Sequence, residues 1–171
     1  MKRKKGLSLI EILIVLISSS MVLAIGFSLF SIGWKVYGNS QKKALLERNM
    51  RNAVEIISEE LRWAKEATTT SLPEGNEWIT LSLENGIIKW SKRSNESLSD
   101  SQYLTDAQDI IVNNLSFNLN GSEDKKIIIH ITLSASSASD NRIGESLTTS
   151  VVSYNIEENL LGESSSISYK K

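Results

Sequence analysis

The chain has 171 residues, with 19 Lys and Arg against 20 Asp and Glu, one histidine and no cysteine. That length fits one domain plus an anchor, and the missing cysteines exclude a disulfide framework and a thiolate metal site. The net charge of −1 conceals a basic start: without residues 1–6 it would be −5, an acidic remainder that carries no nucleic-acid footprint.

The first element is a basic leader, Met1-Lys2-Arg3-Lys4-Lys5-Gly6. A 28-residue run from Leu7 to Trp34 follows, in which Glu11 is the only ionisable side chain. As a helix the run would extend roughly 42 Å at 1.5 Å per residue, more than a hydrocarbon core of about 30 Å. The leader cations hold the N-terminal end in the cytoplasm and place the rest of the chain outside. Three readings fit such a segment. A secretory signal peptide could be cut at Val22-Leu23-Ala24, but the run continues past that site to Trp34. A plain single-pass anchor leaves Glu11 unexplained, since a charge within a span costs roughly 2.5–3.5 kcal/mol. A subunit that assembles through this helix accounts for it, because a buried carboxylate is tolerated once a neighbouring cation pairs with it. In an unassembled chain Glu11 also lies close enough to the headgroups to snorkel.

Beyond Trp34 the helical pattern continues. Leu46, Met50, Ala53, Val54, Ile57, Leu61 and Ala64 recur at three- and four-residue steps and form a stripe about 100° wide. Glu47, Arg51 and Glu55 lie opposite, at i, i+4 spacing. The expected helix runs from Leu7 to about Ala67, with Gly26, Gly33 and Gly38 as its weakest points and Thr68-Thr69-Thr70 and Pro73 as its stop. Leu45, Ile56 and Trp63 lie off the stripe. They are read as a wide core face wrapped by the sheet, with a contact to a neighbouring subunit as the alternative.

From residue 76 the period becomes two. Ile79, Leu81 and Leu83 precede Asn85-Gly86, and Ile87, Ile88 and Trp90 follow, which predicts a hairpin. Residues 91–102 read as a polar loop. Leu115, Phe117 and Leu119 alternate, as do Ile127, Ile129, Ile131 and Leu133. Ser134 to Ser146 reads as a second loop, Leu147 to Ile156 as the last strand, and the remainder as a frayed tail. The expected fold class is α+β: a long N-terminal helix packed against an antiparallel β-sheet. The expected division is a leader at 1–6, a transmembrane and assembly helix at 7–34, its amphipathic second half at 35–70, the sheet domain at 71–156 and a flexible tail at 157–171.

No enzyme is expected. His130 sits in an alternating strand, opposite the Ile127–Ile129–Ile131 face, as a hydrogen-bonded or solvent-facing residue. There is no Gly-rich phosphate loop and no Ser/His/Asp constellation. Glu59-Glu60 and Glu123-Asp124 read as solvated charges. Asp100, Asp106 and Asp109 flank a loop and could bind calcium with carbonyl help, but their spacing matches no loop motif; no metal and no cofactor are expected.

The segment from Lys4-Lys5-Gly6-Leu7-Ser8 through Glu11 to Leu16 resembles the N-terminal signature of type IV prepilins and type II secretion pseudopilins. The resemblance implies that prepilin peptidase cuts after Gly6, that Leu7 becomes an N-methylated N-terminus, and that Glu11 is the glutamate at the fifth mature position. Glu11 would then pair with the new amine of another subunit during assembly. It also implies other pilin or pseudopilin subunits, an inner-membrane assembly platform and the lipid bilayer as partners. Leu7 stands where the family usually has phenylalanine. Asn49-Met50-Arg51-Asn52-Ala53 through Leu61-Arg62, and Ser146 to Asn155, resemble the branch of J-type minor pseudopilins, although Tyr154 replaces a frequent arginine. Ser28 stands where many major pilins have a helix-breaking proline. The implied function is a minor filament subunit, at the tip or in initiation. The alternative is a membrane-tethered exported binding module with no filament role.

Overall fold

The computed structural model describes residues 8–69, 77–94, 97–121, 127–153, 158–160 and 162–171. The chain divides into two compact units, residues 1–41 and 42–171. Helix α1 covers Leu9–Arg62 and contributes to both.

In the first unit α1 is apolar on every side, and its side chains from Leu9 onward are exposed. Two of its serine hydroxyls are satisfied locally. Ser18 Oγ donates to the Ile14 carbonyl at 2.8 Å, and Ser20 Oγ donates to that of Leu16 at 2.5 Å. Such back-bonds let serines sit in an apolar segment without an orphaned hydroxyl. The helix runs through Gly26, Gly33 and Gly38 unbroken.

In the second unit the expected stripe is the buried one. Leu46, Met50, Ala53, Val54, Ile57 and Leu61 are all buried, and Ala64 is buried just beyond the helix. The helix ends at Arg62, five residues before the expected Ala67. A competing acceptor stops it: the Lys65 N–H donates to the Lys170 carbonyl at 2.8 Å. The chain then enters β1, Glu66–Thr68, antiparallel to β10, Ser166–Lys170. Thr70 and Pro73, read as part of the stop, lie outside the described residues.

The remaining strands are β2 (Ile79–Glu84), β3 (Ile87–Ser94), β4 (Ser97–Tyr103), β5 (Ile110–Gly121), β6 (Ile127–Ser137), β7 (Asp140–Ser153), β8 (Glu158–Leu160) and β9 (Gly162–Ser164). They form a six-stranded sheet, β4-β3-β2-β10-β1-β8, and a four-stranded sheet, β7-β6-β5-β9. Neighbours are antiparallel except for β1 with β8. Leu81, Ile88, Phe117, Ile129, Ile131 and Ile167 join the helix stripe in one apolar core.

The β2–β3 turn is the one expected. Asn85 and Gly86 have φ of 53° and 77°, the two positive angles of a type I′ turn. The turn also docks on β5: the Val112 N–H donates to the Gly86 carbonyl at 2.9 Å.

Three expectations need correction. Residues 91–102 are not a loop, because β3 runs to Ser94 and β4 begins at Ser97. Residues 134–146 are not a loop either, because β6 and β7 continue their ladder to Ser137 and Asp140 across a tight turn. In both places the backbone ladder extends beyond the apolar side chains that mark it. The tail is the third. Residues 162–164 and 166–170 are strands, and β10 lies between β2 and β1 with Ile167 and Tyr169 fully buried. The last strand is therefore β10, and β7 spans Asp140–Ser153; Ile156 lies outside the described residues.

A methyl group at Gly86 would meet Ile111 Cγ2 at 3.1 Å, in a left-handed conformation that costs an L-residue roughly 1–2 kcal/mol. Gly86→Ala should therefore destabilise the domain by at least about 1 kcal/mol, read as a lowered denaturant midpoint at unchanged m-value.

Candidate assembly surfaces

Gly6 and Leu7 lie outside the described residues, so the geometry of the N-terminal motif starts at Ser8. Ser8 occupies the N-cap position of α1. Its carbonyl accepts from the N–H groups of Glu11 and Ile12 at 3.0 and 3.3 Å. Glu11 lies at the third helical position, and its Oε2 accepts from the Ser8 N–H at 2.9 Å. Ser8-Leu9-Ile10-Glu11 thus has the pattern of a capping box, with the glutamate reaching back to the cap. A helix start has N–H groups with no intrahelical acceptor, which matters most where water is scarce. Glu11 supplies one acceptor from within the chain.

The apolar surface behind it is long. From Leu9 to Tyr37 the large hydrophobic side chains are between 48% and 77% exposed, and the helix is long and apolar enough to cross a membrane. Phe30 and Trp34 stack at the far end, with ring centroids 6.2 Å apart.

In the second unit a narrower surface remains uncovered. Leu45, Ile56 and Trp63 are 44%, 42% and 61% exposed, so the sheet does not wrap them as expected. At 100° per residue Leu45 and Ile56 fall within about 20° of one line, and Trp63 follows directly on the helix end. The sheets cover the stripe that contains Leu46 and Met50, and these three point away from it.

A polar cluster fixes the border of the buried stripe of α1. Glu60 Oε2 accepts from the Tyr169 hydroxyl at 2.5 Å and from Lys171 Nζ at 2.9 Å. Trp90 Nε1 donates to the same hydroxyl at 3.3 Å. Glu60 is therefore not a solvated charge, although its neighbour Glu59 is exposed; Glu123 and Asp124 lie outside the described residues. Burial pushes the Glu60 carboxyl up, but the hydrogen bonds from Tyr169 and Lys171 and the lysine charge outweigh it and hold it below the usual range. The Tyr169 phenol is pushed up, first by burial and then by the Glu60 carboxylate.

The remaining polar candidates have structural partners. His130 Nδ1 is 2.8 Å from Ser150 Oγ. Asp106 Oδ1 accepts from the Gln108 N–H at 2.8 Å, and Asp109 Oδ2 accepts from Asn49 at 3.3 Å. Asp100 lies on β4 opposite Lys92. Among the described residues no group of three or more His, Cys, Asp or Glu side chains is placed to hold a metal ion.

A profile of the family described as prepilin peptidase-dependent protein B matches residues 62–153, more than half of the chain. The chain belongs to this family. No curated protein sequence matches it. Two solved structures of the PilB minor pilin from Streptococcus sanguinis, one of them a point mutant, share its fold. Their TM-scores are 0.56 and 0.54 at 14% and 12% identity, over 74% of this chain. The chain spans 34% of the length of those proteins. The expected α+β, pilin-like class is therefore correct. The profile match runs from the end of α1 through β7, whereas the motif that carries the resemblance lies at the N-terminus, so the two are independent indications of one family.

The capping role of Glu11 was readable in Ser8-x-x-Glu11, since a serine followed three residues later by glutamate before an apolar run marks a helix start. The Glu60 cluster had no comparable signal, because Tyr169 lies 109 residues away in sequence.

Glu60 and Tyr169 give the domain a defined pH range. A carboxyl with a lowered pKa contributes stability above its unfolded value, here 4.5, and loses it as pH falls through the folded value. The raised phenol contributes fully below pH 10 and loses its contribution as pH rises above that. Tyr169→Phe removes a hydrogen bond to a charged group and should cost about 1.5–3 kcal/mol at pH 7. Stability measured from pH 7 to 3 should fall less in Glu60→Gln than in the parent chain.

Proposed function

We propose that this chain is a minor pilin or pseudopilin, cut by prepilin peptidase between Gly6 and Leu7 and assembled through its N-terminal helix into a type IV pilus or type II secretion-like filament. The observation that carries the reading is the head of α1. A glutamate closes the cap of an apolar helix that is exposed along its whole first unit, directly after a basic leader ending in glycine. Family membership and the minor-pilin fold support it.

In this reading the helix lies in the bilayer before assembly, with residues 1–6 in the cytoplasm and the sheet domain outside. Cutting after Gly6 removes the four leader cations and leaves one amine at Leu7. Glu11 can then face two donors, the Ser8 N–H of its own chain and the amine of a neighbour. A carboxylate has two oxygens and accepts both. Pairing across subunits fixes their register, because an amine brought into an apolar filament interior without a partner is penalised. The inner-membrane assembly platform and the other subunits are the partners of this step. Leu45, Ile56 and Trp63 supply a second contact along the filament.

Two experiments test this. Mass spectrometry of the membrane form should find N-methylated Leu7 as the N-terminus, and an intact Met1–Gly6 leader in cells that contain the peptidase would overturn processing and favour a membrane-tethered module. Substitution at Glu11 separates capping from assembly. Glutamine keeps the capping-box geometry and loses the charge, whereas alanine loses both. If charge pairing drives assembly, Glu11→Gln and Glu11→Ala should both lose co-purification with the other subunits. Wild-type incorporation of the glutamine variant would reduce Glu11 to a helix cap.

The exposed line gives a further expectation. Replacing Leu45, Ile56 and Trp63 together by serine removes no core contact, so each change should shift domain stability by no more than about 0.5 kcal/mol. Incorporation into filaments should nonetheless fall, as measured by crosslinking yield to neighbouring subunits.

A further inference from the structure

The sequence holds two Asn-Gly pairs, Asn85-Gly86 and Asn120-Gly121, and the fold restrains them differently. An asparagine followed by glycine can react within its own chain. The amide nitrogen of the next residue closes a five-membered ring on the side-chain carbonyl carbon, and glycine has no side chain to block the approach. Closure requires that nitrogen to swing to the same side of the Cα–C bond as Cβ. For an L-residue this means a ψ of about −120°, outside the main allowed wells. The distance of each asparagine from that angle, and the freedom of its backbone to reach it, therefore decide which pair reacts.

Asn85 is held away from closure. The φ angles of 53° at Asn85 and 77° at Gly86 make a type I′ turn. Its first central residue has a ψ of about +30°, the mirror of the type I value, which leaves about 150° of rotation to the reactive angle. The turn is also held on two sides. The β2–β3 ladder closes on it at the pair Glu84↔Ile87, and the Gly86 carbonyl accepts from the Val112 N–H at 2.9 Å.

Asn120 lacks these restraints. It is exposed and is the last residue but one of β5. β9 pairs with Phe117, Asn118 and Leu119 and goes no further, so among the described residues Asn120 and Gly121 are paired on one side only, with Ile128 and Ile127 of β6. An extended residue has a ψ of about +135°, which leaves about 105° to the reactive angle. A strand end paired on one side also opens at lower cost than a segment fixed on both.

We propose that Asn120-Gly121 is a site of spontaneous deamidation in the folded chain and that Asn85-Gly86 is protected from it. The Gly121 amide nitrogen gives its proton to water and bonds to Asn120 Cγ. The Cγ–Nδ2 bond breaks, and ammonia leaves with a proton taken back from water. Water then opens the cyclic imide at one of its two C–N bonds. Breaking the bond to Cγ gives aspartate in a normal backbone. Breaking the bond to the main-chain carbonyl carbon gives a β-linked aspartate, in which the backbone runs through the side chain and is one carbon longer. Either product puts a carboxylate on the exposed side of β5. The β-linked product also shifts the end pair Gly121↔Ile127, while the buried Phe117 and Leu119 precede the inserted carbon and keep their pairing. The reaction needs only water and time, and it is independent of Glu11 and of processing at Gly6.

The test holds the full chain in detergent micelles for days at mildly alkaline pH in oxygen-18 water, then maps its peptides by mass spectrometry with fragmentation that separates the two aspartate linkages. The peptide containing Asn120 should convert at least tenfold faster than the one containing Asn85, with the heavy oxygen in the new carboxyl and both linkages present. In concentrated guanidinium chloride, where neither the turn nor the strand persists, the two peptides should convert at similar rates. Gly121→Val should slow conversion at Asn120 at least tenfold in both conditions, because a β-branched side chain crowds the attacking nitrogen. Equal rates at the two sites in the folded chain, faster conversion at Asn85, or a Gly121→Val chain that converts like the parent would overturn the proposal. So would an Asn120 that stays intact in the folded chain over the time in which the denatured chain converts.

Discussion

The packing of one face of α1 against both sheets is the constraint on which the rest of the domain rests. Leu46, Met50, Ala53, Val54, Ile57 and Leu61 are all buried. They meet Leu81 and Ile88 from the six-stranded sheet and Phe117, Ile129 and Ile131 from the four-stranded one. Neither sheet could bury its apolar face on solvent, and a helix stripe of this width cannot be covered by one strand pair. Because the buried face is fixed, the faces left over are fixed too. Leu45, Ile56 and Trp63 remain uncovered for that reason, and Glu60 falls at the border of the core, where it needs donors.

The first half of the helix obeys a different rule. It has no buried face within the chain, and several of its polar groups are satisfied by the helix itself. Serine hydroxyls return to carbonyls four residues back, and the first free N–H is met by a carboxylate. The same carboxylate has a local role and, in the proposed filament, an intersubunit one. A carboxylate already held by its own helix start is pre-oriented, so less side-chain freedom remains to be lost when a second donor arrives.

Much of this was legible in the chain itself. The helix stripe was readable at every position because the period of 3.6 persists over five turns and each member is apolar. The Asn85-Gly86 turn was readable because two positive φ angles demand those residues. What failed to show were elements whose pairing is carried by backbone. The first part of β7 is charged and β4 is serine-rich, so nothing in their side chains distinguishes a ladder from a loop. In β10 only Ile167 and Tyr169 alternate inward between Ser166 and Ser168, too short a pattern to outweigh the serine-rich run before it. The helix end was misplaced for a related reason: its stop is an acceptor on Lys170, about a hundred residues downstream, and no local signal announces it.

The central place of β10 sets the order in which this domain can be completed. A chain that leaves a ribosome or a translocation channel from its N-terminal end delivers α1 and β1 to β7 before residues 166–170 arrive. Until then β1 and β2 have a gap between them as wide as one strand, and the carboxylate of Glu60 waits at its border without the Tyr169 hydroxyl. The four-stranded sheet can form its β5–β6–β7 ladders by hairpin contacts alone, whereas the six-stranded one closes only through pairings that span most of the chain, the slowest class of contact to form. Completion of the six-stranded sheet thus depends on a five-residue strand that follows all of its partners in the chain.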